Sequence, residues 1–406
     1  MTATLNVPVI ARLKHGREKL IAQGHPWVFS GAVAAWEGTP AVGAVTEVLV
    51  ANGAWLARGL MCPGAALAVR IYTRQREQPL DEAFFTAAVD RAVALRRTLP
   101  GFGTGADAPT NAWRLVFSES DSLSGLIVDQ YAGTLVVQVG AAALQAHLPA
   151  LIRRLVQLTG AANVRVTAET EAVQREGLDP AAVAALGNPA AGPVRIREHG
   201  LLFDVDHGAG QKTGFFLDQR LNRQRVAAYA RGRRMLSAYC YTGAFEVYAA
   251  AAGAAEITGL DRSESALARA REHHRLNGLN VPVTYERADV PAKLRAYRDA
   301  GRTFDLIVLD PPRFVASRAQ MENGLRAYKD INLLALKLLA PGGILATFSC
   351  SGLVNPLDFR RLLGWAAVDA QRPVQILETL GQPPDHPVLA TFPESEYLKG
   401  AICTVR

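Results

Sequence analysis

Four cysteines, at positions 62, 240, 350 and 403, are the only thiols in a chain of 406 residues. Cys350 stands between two serines in ATFSCSG, directly after an apolar run, where a strand is expected to end. A thiol there is either a small core residue or a nucleophile, and spacing alone leaves both open. The others are worse placed to react: Cys62 lies in MCPG, Cys403 in the strand-like AICTV, and Cys240 beside a glycine turn. There is no C-x-x-C pair and no zinc-type spacing, so no metal is expected, and reduced thiols fit a cytoplasmic setting.

Carboxylates at strand ends supply the second set of candidates. Asp310 opens DPPRF after the apolar FDLIVL. Neither proline carries an N–H, so the turn presents carbonyl acceptors to a planar base, with Phe314 available for stacking. SAYCYTGAF reads as a strand, a turn holding Gly243, and a helix whose first N–H groups face a ligand. Asp261 ends the next strand, in GLDRS, where a carboxylate accepts hydrogen bonds from both ribose hydroxyls; Asp289, in ERADV, ends the third, where an adenine edge would lie. A dinucleotide site wants G-x-G-x-x-G, and this turn has one glycine, which favours S-adenosylmethionine, a cofactor without phosphates. The expected cofactor contacts are Tyr241, Thr242, Gly243, Phe245, Asp261, Arg262, Asp289, Asp310 and Pro311. Gln211, Lys212 and Thr213 are expected to form a polar lip over the methionine end. Phe215 and Phe216 either stack or join the core, and Asp218 is placed to cap a helix.

The elements that must position these residues form three blocks. Residues 1–74 carry short alternating runs cut by Gly, Asn and Pro, the pattern of a small twisted β-structure. Residues 75–190 read as an α+β domain: a helix behind Asp81, three strand-like runs, a second helix and a fourth strand. From residue 191 strands and helices alternate, which predicts a doubly wound, mostly parallel sheet with ligands at the carboxyl ends of its strands. Hydrophobic residues make up 49% of the chain and charged residues 20%, and no segment looks membrane-spanning. The opening residues lack the pattern of a signal peptide. A net charge of +7 permits attraction to a polyanion. Arg12, Lys14, Arg17 and Lys19 near Trp27 and Phe29 suit backbone contact with stacking, or else form a solvated face beside core rings.

HPWVFSGAV, GAGQKTGFFLDQRLNR, YTGAF, LDPPRF, YKDINLLALKLL, FSCSG and ATFPESEYLKG, in this order over nearly the whole chain, resemble the bacterial 23S ribosomal RNA large-subunit methyltransferase I family. The resemblance implies an N-terminal PUA-like RNA-binding domain, a middle α+β domain and a C-terminal Rossmann-like class I methyltransferase domain. It further implies 5-methylcytosine formation from S-adenosylmethionine on 23S ribosomal RNA, with Cys350 as the nucleophile and the 207–223 segment helping to close the site. The cofactor loop departs from the family's frequent TGGF, with alanine for the second glycine. Cytosine C5 is a poor nucleophile; a thiolate adding to C6 loads electron density onto it, and loss of the C5 proton later expels the sulfur. Asp310 is expected to position the base, while Glu394 or a bound water competes with it as proton acceptor. A target cytosine would leave any stack to reach the thiol, and a homodimer is allowed for. Three other readings stay in view: methylation of another base or atom, a non-catalytic RNA-binding assembly factor, and a nicotinamide dehydrogenase, which the missing glycines disfavour.

Overall fold

The computed structural model describes residues 9–105, 107–208 and 214–406. They fall into two compact units. One comprises the described parts of Met1–Ile196, Val205–Phe215 and Pro384–Ser395; the other comprises Arg197–Asp204, Phe216–Pro383 and Glu396–Arg406.

In the first unit, the alternating runs become β1 (Val9–Leu13), β2 (Trp27–Phe29), β3 (Val33–Glu37), β4 (Val45–Leu49), β5 (Trp55–Met61) and β6 (Leu67–Thr73), with the one-turn helix α1 (Lys19–Ala22). The sheet order is β2-β6-β5-β4-β1-β3. Ala11, Val28, Val48, Ala57 and Val69 are wholly buried in its core. Asp81 caps α2 (Glu82–Arg97) by accepting the Phe84 N–H at 2.8 Å, as its place before the apolar periodicity predicts. A second sheet, in the order β10-β9-β8-β7, contains β7 (Ala112–Phe117), β8 (Leu126–Tyr131), β9 (Thr134–Val139) and β10 (Asn163–Ala168). Strands β9 and β10 are parallel, so a crossover must join them, and α3 (Leu148–Thr159) supplies it. Helices α4 (Thr170–Glu176) and α5 (Pro180–Ala184) follow. Arg96 is fully buried, paired through both terminal nitrogens with Asp121 at 2.6 and 2.7 Å. It also donates to the Asp385 carbonyl at 3.0 Å, tying in the returning 384–395 segment.

Strands β11 (Val194–Glu198) and β12 (Leu201–Val205) pair with each other. The second unit then builds β13 (Arg234–Ala238), β14 (Glu256–Asp261), β15 (Val283–Arg287), β16 (Phe304–Leu309), β17 (Leu339–Ser349), β18 (Val374–Gly381) and β19 (Lys399–Val405) into one sheet, ordered β15-β14-β13-β16-β17-β19-β18. The first five are parallel, and β19 lies antiparallel between β17 and β18. Its helices are α6 (Arg220–Ala227), α7 (Ala244–Ala251), α8 (Glu264–Leu276), α9 (Val290–Asp299), α10 (Met321–Leu338) and α11 (Pro356–Ala370). Leu306, Ile307, Val308 and Leu309 are all wholly buried, which explains why β16 is apolar on both faces. In α10 the buried Tyr328, Ile331, Leu334, Ala335 and Leu338 recur at helical spacing. The strand order reverses at β13, whose neighbours are β14 and β16. A doubly wound sheet opens a crevice at the carboxyl ends there.

One local expectation changes. LLAPGGIL reads as a helix end, a turn and then a strand, yet Leu339 already pairs with Phe304 and pairing resumes at Leu306 and Ile344. The intended turn is absorbed as a bulge, with Gly342 supplying the left-handed residue at φ 73°. Asp218 does not cap α6, which starts without a side-chain cap; it accepts a 2.5 Å hydrogen bond from the Tyr397 hydroxyl. No helix among the described residues is long and apolar enough to cross a membrane.

Arg223 and Glu198 form a buried two-bonded ion pair at 2.8 Å for each contact, and Tyr248 donates to the same carboxylate at 3.0 Å. Removing one partner of such a pair strands the other charge. Arg223→Met is therefore expected to destabilise the fold by about 3–5 kcal/mol, read as a lower urea midpoint in a denaturation curve.

Candidate active site

The loop after β13 adopts an unusual backbone. Tyr239, Tyr241 and Gly243 have φ of 64°, 49° and 78°. The two tyrosines cost about 1–2 kcal/mol each in that region, so neighbouring elements must hold the loop. Cys240 N–H donates to the Leu260 carbonyl and Gly243 N–H to the Cys240 carbonyl, each at 2.9 Å. Tyr241 N–H donates to Asp261 Oδ2 at 2.9 Å. His273 Nδ1–H donates to the Thr242 carbonyl at 2.8 Å, while its Nε2 accepts the Asp204 N–H at 3.0 Å. Burial lowers the pKa of His273, so a neutral ring makes both bonds. A Cβ on Gly243 would sit 2.7 Å from Ala270 Cβ and 2.9 Å from the Tyr285 hydroxyl, so glycine is needed for space as well as angle. Ala244 is the first residue of α7, where helical angles accept a methyl group.

The acids at the strand ends are already engaged. Asp261 Oδ1 accepts the Ser263 N–H at 2.9 Å, so each carboxylate oxygen holds one backbone N–H. Asp289 caps α9 through the Ala292 N–H at 3.1 Å and pairs with Arg262. Those two contacts, the N–H first, hold its pKa below the usual range. Phe245 packs in the core against Phe348, with ring centroids 5.6 Å apart, instead of lining the loop. Phe216 meets the edge of Tyr241 at 5.3 Å, and Phe215 is buried. Gln211, Lys212 and Thr213 lie outside the described residues.

Asp310 follows β16, its N–H directed at the Ala238 carbonyl at 3.4 Å, which ties the D-P-P turn to β13. Cys350 follows β17, and its Sγ lies 4.0 Å from the Pro311 carbonyl oxygen of that turn. Phe314 packs on Tyr328 at 4.7 Å and approaches Tyr239 at 6.4 Å. The structure thus gathers Tyr241, Thr242, Gly243, Asp261, Asp310, Pro311 and Cys350 at the carboxyl ends of neighbouring strands. The flanking serines are both fully buried. Ser351 Oγ bonds the Tyr328 hydroxyl at 2.9 Å and accepts the Val315 N–H at 3.2 Å.

None of the cysteines is in a disulfide, and Cys350 is the one that is not buried. Burial pushes the Cys62 and Cys403 thiols up to about 12, with Glu176 adding to the effect at Cys62. Burial likewise raises Cys240. Two neighbours were not legible as site residues. Lys399 donates to the Ser351 and Tyr397 carbonyls at 2.7 Å each; its only sequence signal is a lysine opening an apolar strand. Glu246 is wholly buried in an Ala-rich helix directly after the loop.

The basic and aromatic residues of the first unit divide. Arg12 pairs with Glu37 at 2.8 Å, and Lys14 donates to the Gly31 carbonyl at 2.9 Å. Arg17 and Lys19 are exposed. Trp27 donates to Glu119 at 2.9 Å and packs on Phe392 at 4.6 Å, whereas Phe29 is 49% exposed. Glu394 lies 3.5 Å from His25 in this unit.

Burial raises Glu246 to about 7. Its folded pKa exceeds the ordinary carboxylate value of about 4.3, so folding favours the protonated form and stability falls as pH rises from there through about 7. Glu246→Gln is expected to remove that slope and to melt above the wild type at pH 8, in thermal melts between pH 5 and 8.

Comparison with known proteins fits this arrangement. A family model described as S-adenosylmethionine-dependent methyltransferase matches residues 118–395, and a PUA-like domain model matches 11–74. The chain is 41% identical to the ribosomal RNA large subunit methyltransferase I of Shewanella frigidimarina, covering 97% of this chain and 98% of that protein. It is 42% identical to the protein of that name from Shewanella amazonensis, with the same coverage. Among solved structures, a SAM-dependent methyltransferase from Streptococcus mutans superposes with a TM-score of 0.82 at 20% identity, over 98% of this chain and 100% of that one. A methyltransferase complexed with SAH gives 0.83 at 19%, with the same coverage. At those identities the likeness is one of fold. The chain belongs to the S-adenosylmethionine-dependent methyltransferases and, within them, to the ribosomal RNA large subunit methyltransferase I family, with a PUA-like domain at its N-terminal end.

Proposed function

We propose that this protein methylates C5 of a cytosine in 23S ribosomal RNA through a covalent adduct between Cys350 and C6. One observation carries the proposal: among four cysteines, three are buried with raised pKa values. The fourth, Cys350, is partly exposed at a strand end, 4.0 Å from a carbonyl of the D-P-P turn. A binding factor or an exocyclic-amine methyltransferase has no use for a thiol there.

The residues fit the cofactor. The loop has one glycine before α7 and lacks a pyrophosphate cradle, and Asp261 at the end of β14 has acceptor capacity left beyond its two N–H contacts. When bound, S-adenosylmethionine would supply an electrophilic methyl group to C5, its sulfur keeping the electron pair of the broken S–CH3 bond as the neutral thioether leaving group. Asp261 and the 241–243 loop hold the nucleoside part, with the Arg262–Asp289 pair flanking it and Phe245 packed in the core behind the loop. Gln211, Lys212 and Thr213 are proposed for the methionine end. The Asp310–Pro311 turn holds the base in plane. Cys350 Sγ bonds to C6 and the electron pair of the C5–C6 double bond moves toward C5. After C5 gains the methyl group it loses its proton, the double bond re-forms, and the C6–S bond breaks to return the thiolate. Asp310 positions the base, and the acceptor of the C5 proton is Asp310, Glu394 or a bound water.

RNA recognition is proposed for residues 1–74, with residues 75–190 as the middle domain and 191–406 as the methyltransferase domain. Exposed Phe29, Arg17 and Lys19 support contact with bases and phosphates.

Cys350→Ala is expected to lower methyl transfer from radiolabelled cofactor to large-subunit RNA by more than about 1000-fold, with calorimetric cofactor affinity unchanged. Normal turnover by that variant would sink the thiolate route. Asp261→Ala removes a charged acceptor from the loop, so cofactor affinity is expected to fall about 10- to 100-fold, measured by calorimetry.

A further inference from the structure

Lys399 opens β19 directly opposite Ser349 and is 4% exposed. A buried ammonium is costly unless an anion faces it. Two of its protons go to peptide carbonyls, those of Ser351 and Tyr397, and these carry no net charge. Among the described residues no carboxylate lies within ion-pair distance of Nζ; the anionic charges that reach it are those of Cys350 and Glu396. The same lysine acts on the backbone beside the thiol. Ser349 is held by sheet pairing to Lys399, and Ser351 is held by Lys399, Tyr328 and Val315. Cys350 is therefore suspended between two residues that one lysine fixes.

We propose that Lys399 is a positioning residue and the counter-ion of the Cys350 thiolate, fixing the Ser351 peptide and holding the sulfur in its ionised, nucleophilic form. This rests on Cys350 being the reacting thiol. On ionisation the thiol gives one proton to solvent, and the ammonium keeps all three of its own. The titratable groups around the pair are Tyr328 from α10 and Glu396 and Tyr397 from the segment before β19, and Asp310 precedes the Pro311 whose carbonyl faces the sulfur. Burial lowers the ammonium to about 8, and the charge of Cys350 opposes that lowering. Lys399 is thus cationic at neutral pH, and its support of the thiolate fades as pH rises through that value.

The test is alkylation of the full-length protein by iodoacetamide as a function of pH, with Cys350 followed by peptide mass spectrometry. The three buried cysteines serve as internal controls. The wild-type midpoint is expected below about 8.5, the value of an unperturbed thiol. Lys399→Met is expected to raise it by at least about one pH unit and to slow alkylation at pH 7 about tenfold. Lys399→Arg, which keeps the charge, is expected to stay within about half a unit of wild type. Equal midpoints in wild type and the methionine variant overturn the proposal. So does a wild-type midpoint above about 8.5, which decides the matter even if the methionine variant does not fold. A shifted midpoint combined with an active Cys350→Ala variant would keep the counter-ion and remove Cys350 from methyl transfer, so the two proposals fail separately.

Discussion

A single carboxylate at the end of β14 fixes the conformation on which the candidate site depends. Tyr239 and Tyr241 hold left-handed angles at about 1–2 kcal/mol each, and a hydrogen bond to a charged acceptor returns about 1.5–3 kcal/mol. The Asp261 contact with the Tyr241 N–H therefore offsets much of the loop's strain, and the bonds from Cys240 to Leu260 and from His273 to Thr242 supply the remainder. The bend that results lets Gly243 sit at the N-cap of α7, close enough to α8 that a methyl group there would strike Ala270. Loop, helix start and acid form one mechanical unit.

Burial moves the pKa values of the two kinds of ionisable group, thiol and ammonium, in opposite senses. It suppresses ionisation of Cys62, Cys240 and Cys403 and makes them small hydrophobic residues. It also lowers the pKa of Lys399, a group that would otherwise be firmly cationic. Chemical difference among four identical side chains thus comes from packing: Cys62 after β5, Cys240 in the loop after β13 and Cys403 within β19 are all buried, whereas Cys350 after β17 stays partly exposed.

What could be read from the sequence was local. The cap at Asp81, the helical spacing of α10, the apolar β16 and the acids closing β14 and β16 follow from neighbours a few residues away. What could not be read depends on distant partners. Arg262 and Asp289 sit on different strand ends and neutralise each other, and Phe245 turns into the core because Phe348 waits there. The pinning of Ser351 by Tyr328 and Lys399 joins α10, the end of β17 and β19, and no spacing rule connects those segments. The pairing of Arg96 with the Asp385 carbonyl is equally silent, because Pro384–Ser395 lies between strands of the second unit but packs in the first.

The order of the sheet has a consequence for the timing of assembly. Strand β19 comes after β17 and β18 in the chain yet lies between them. A polypeptide emerging from the ribosome therefore presents the thiol segment and both flanking strands before the strand that joins them exists. Until Lys399–Val405 slots in, β17 has an open edge and the Ser351 carbonyl lacks its bond from the Lys399 ammonium. The half-made chain carries Cys350 beside an open strand edge, and the finished protein encloses the backbone on both sides of that residue in the same step that closes the sheet.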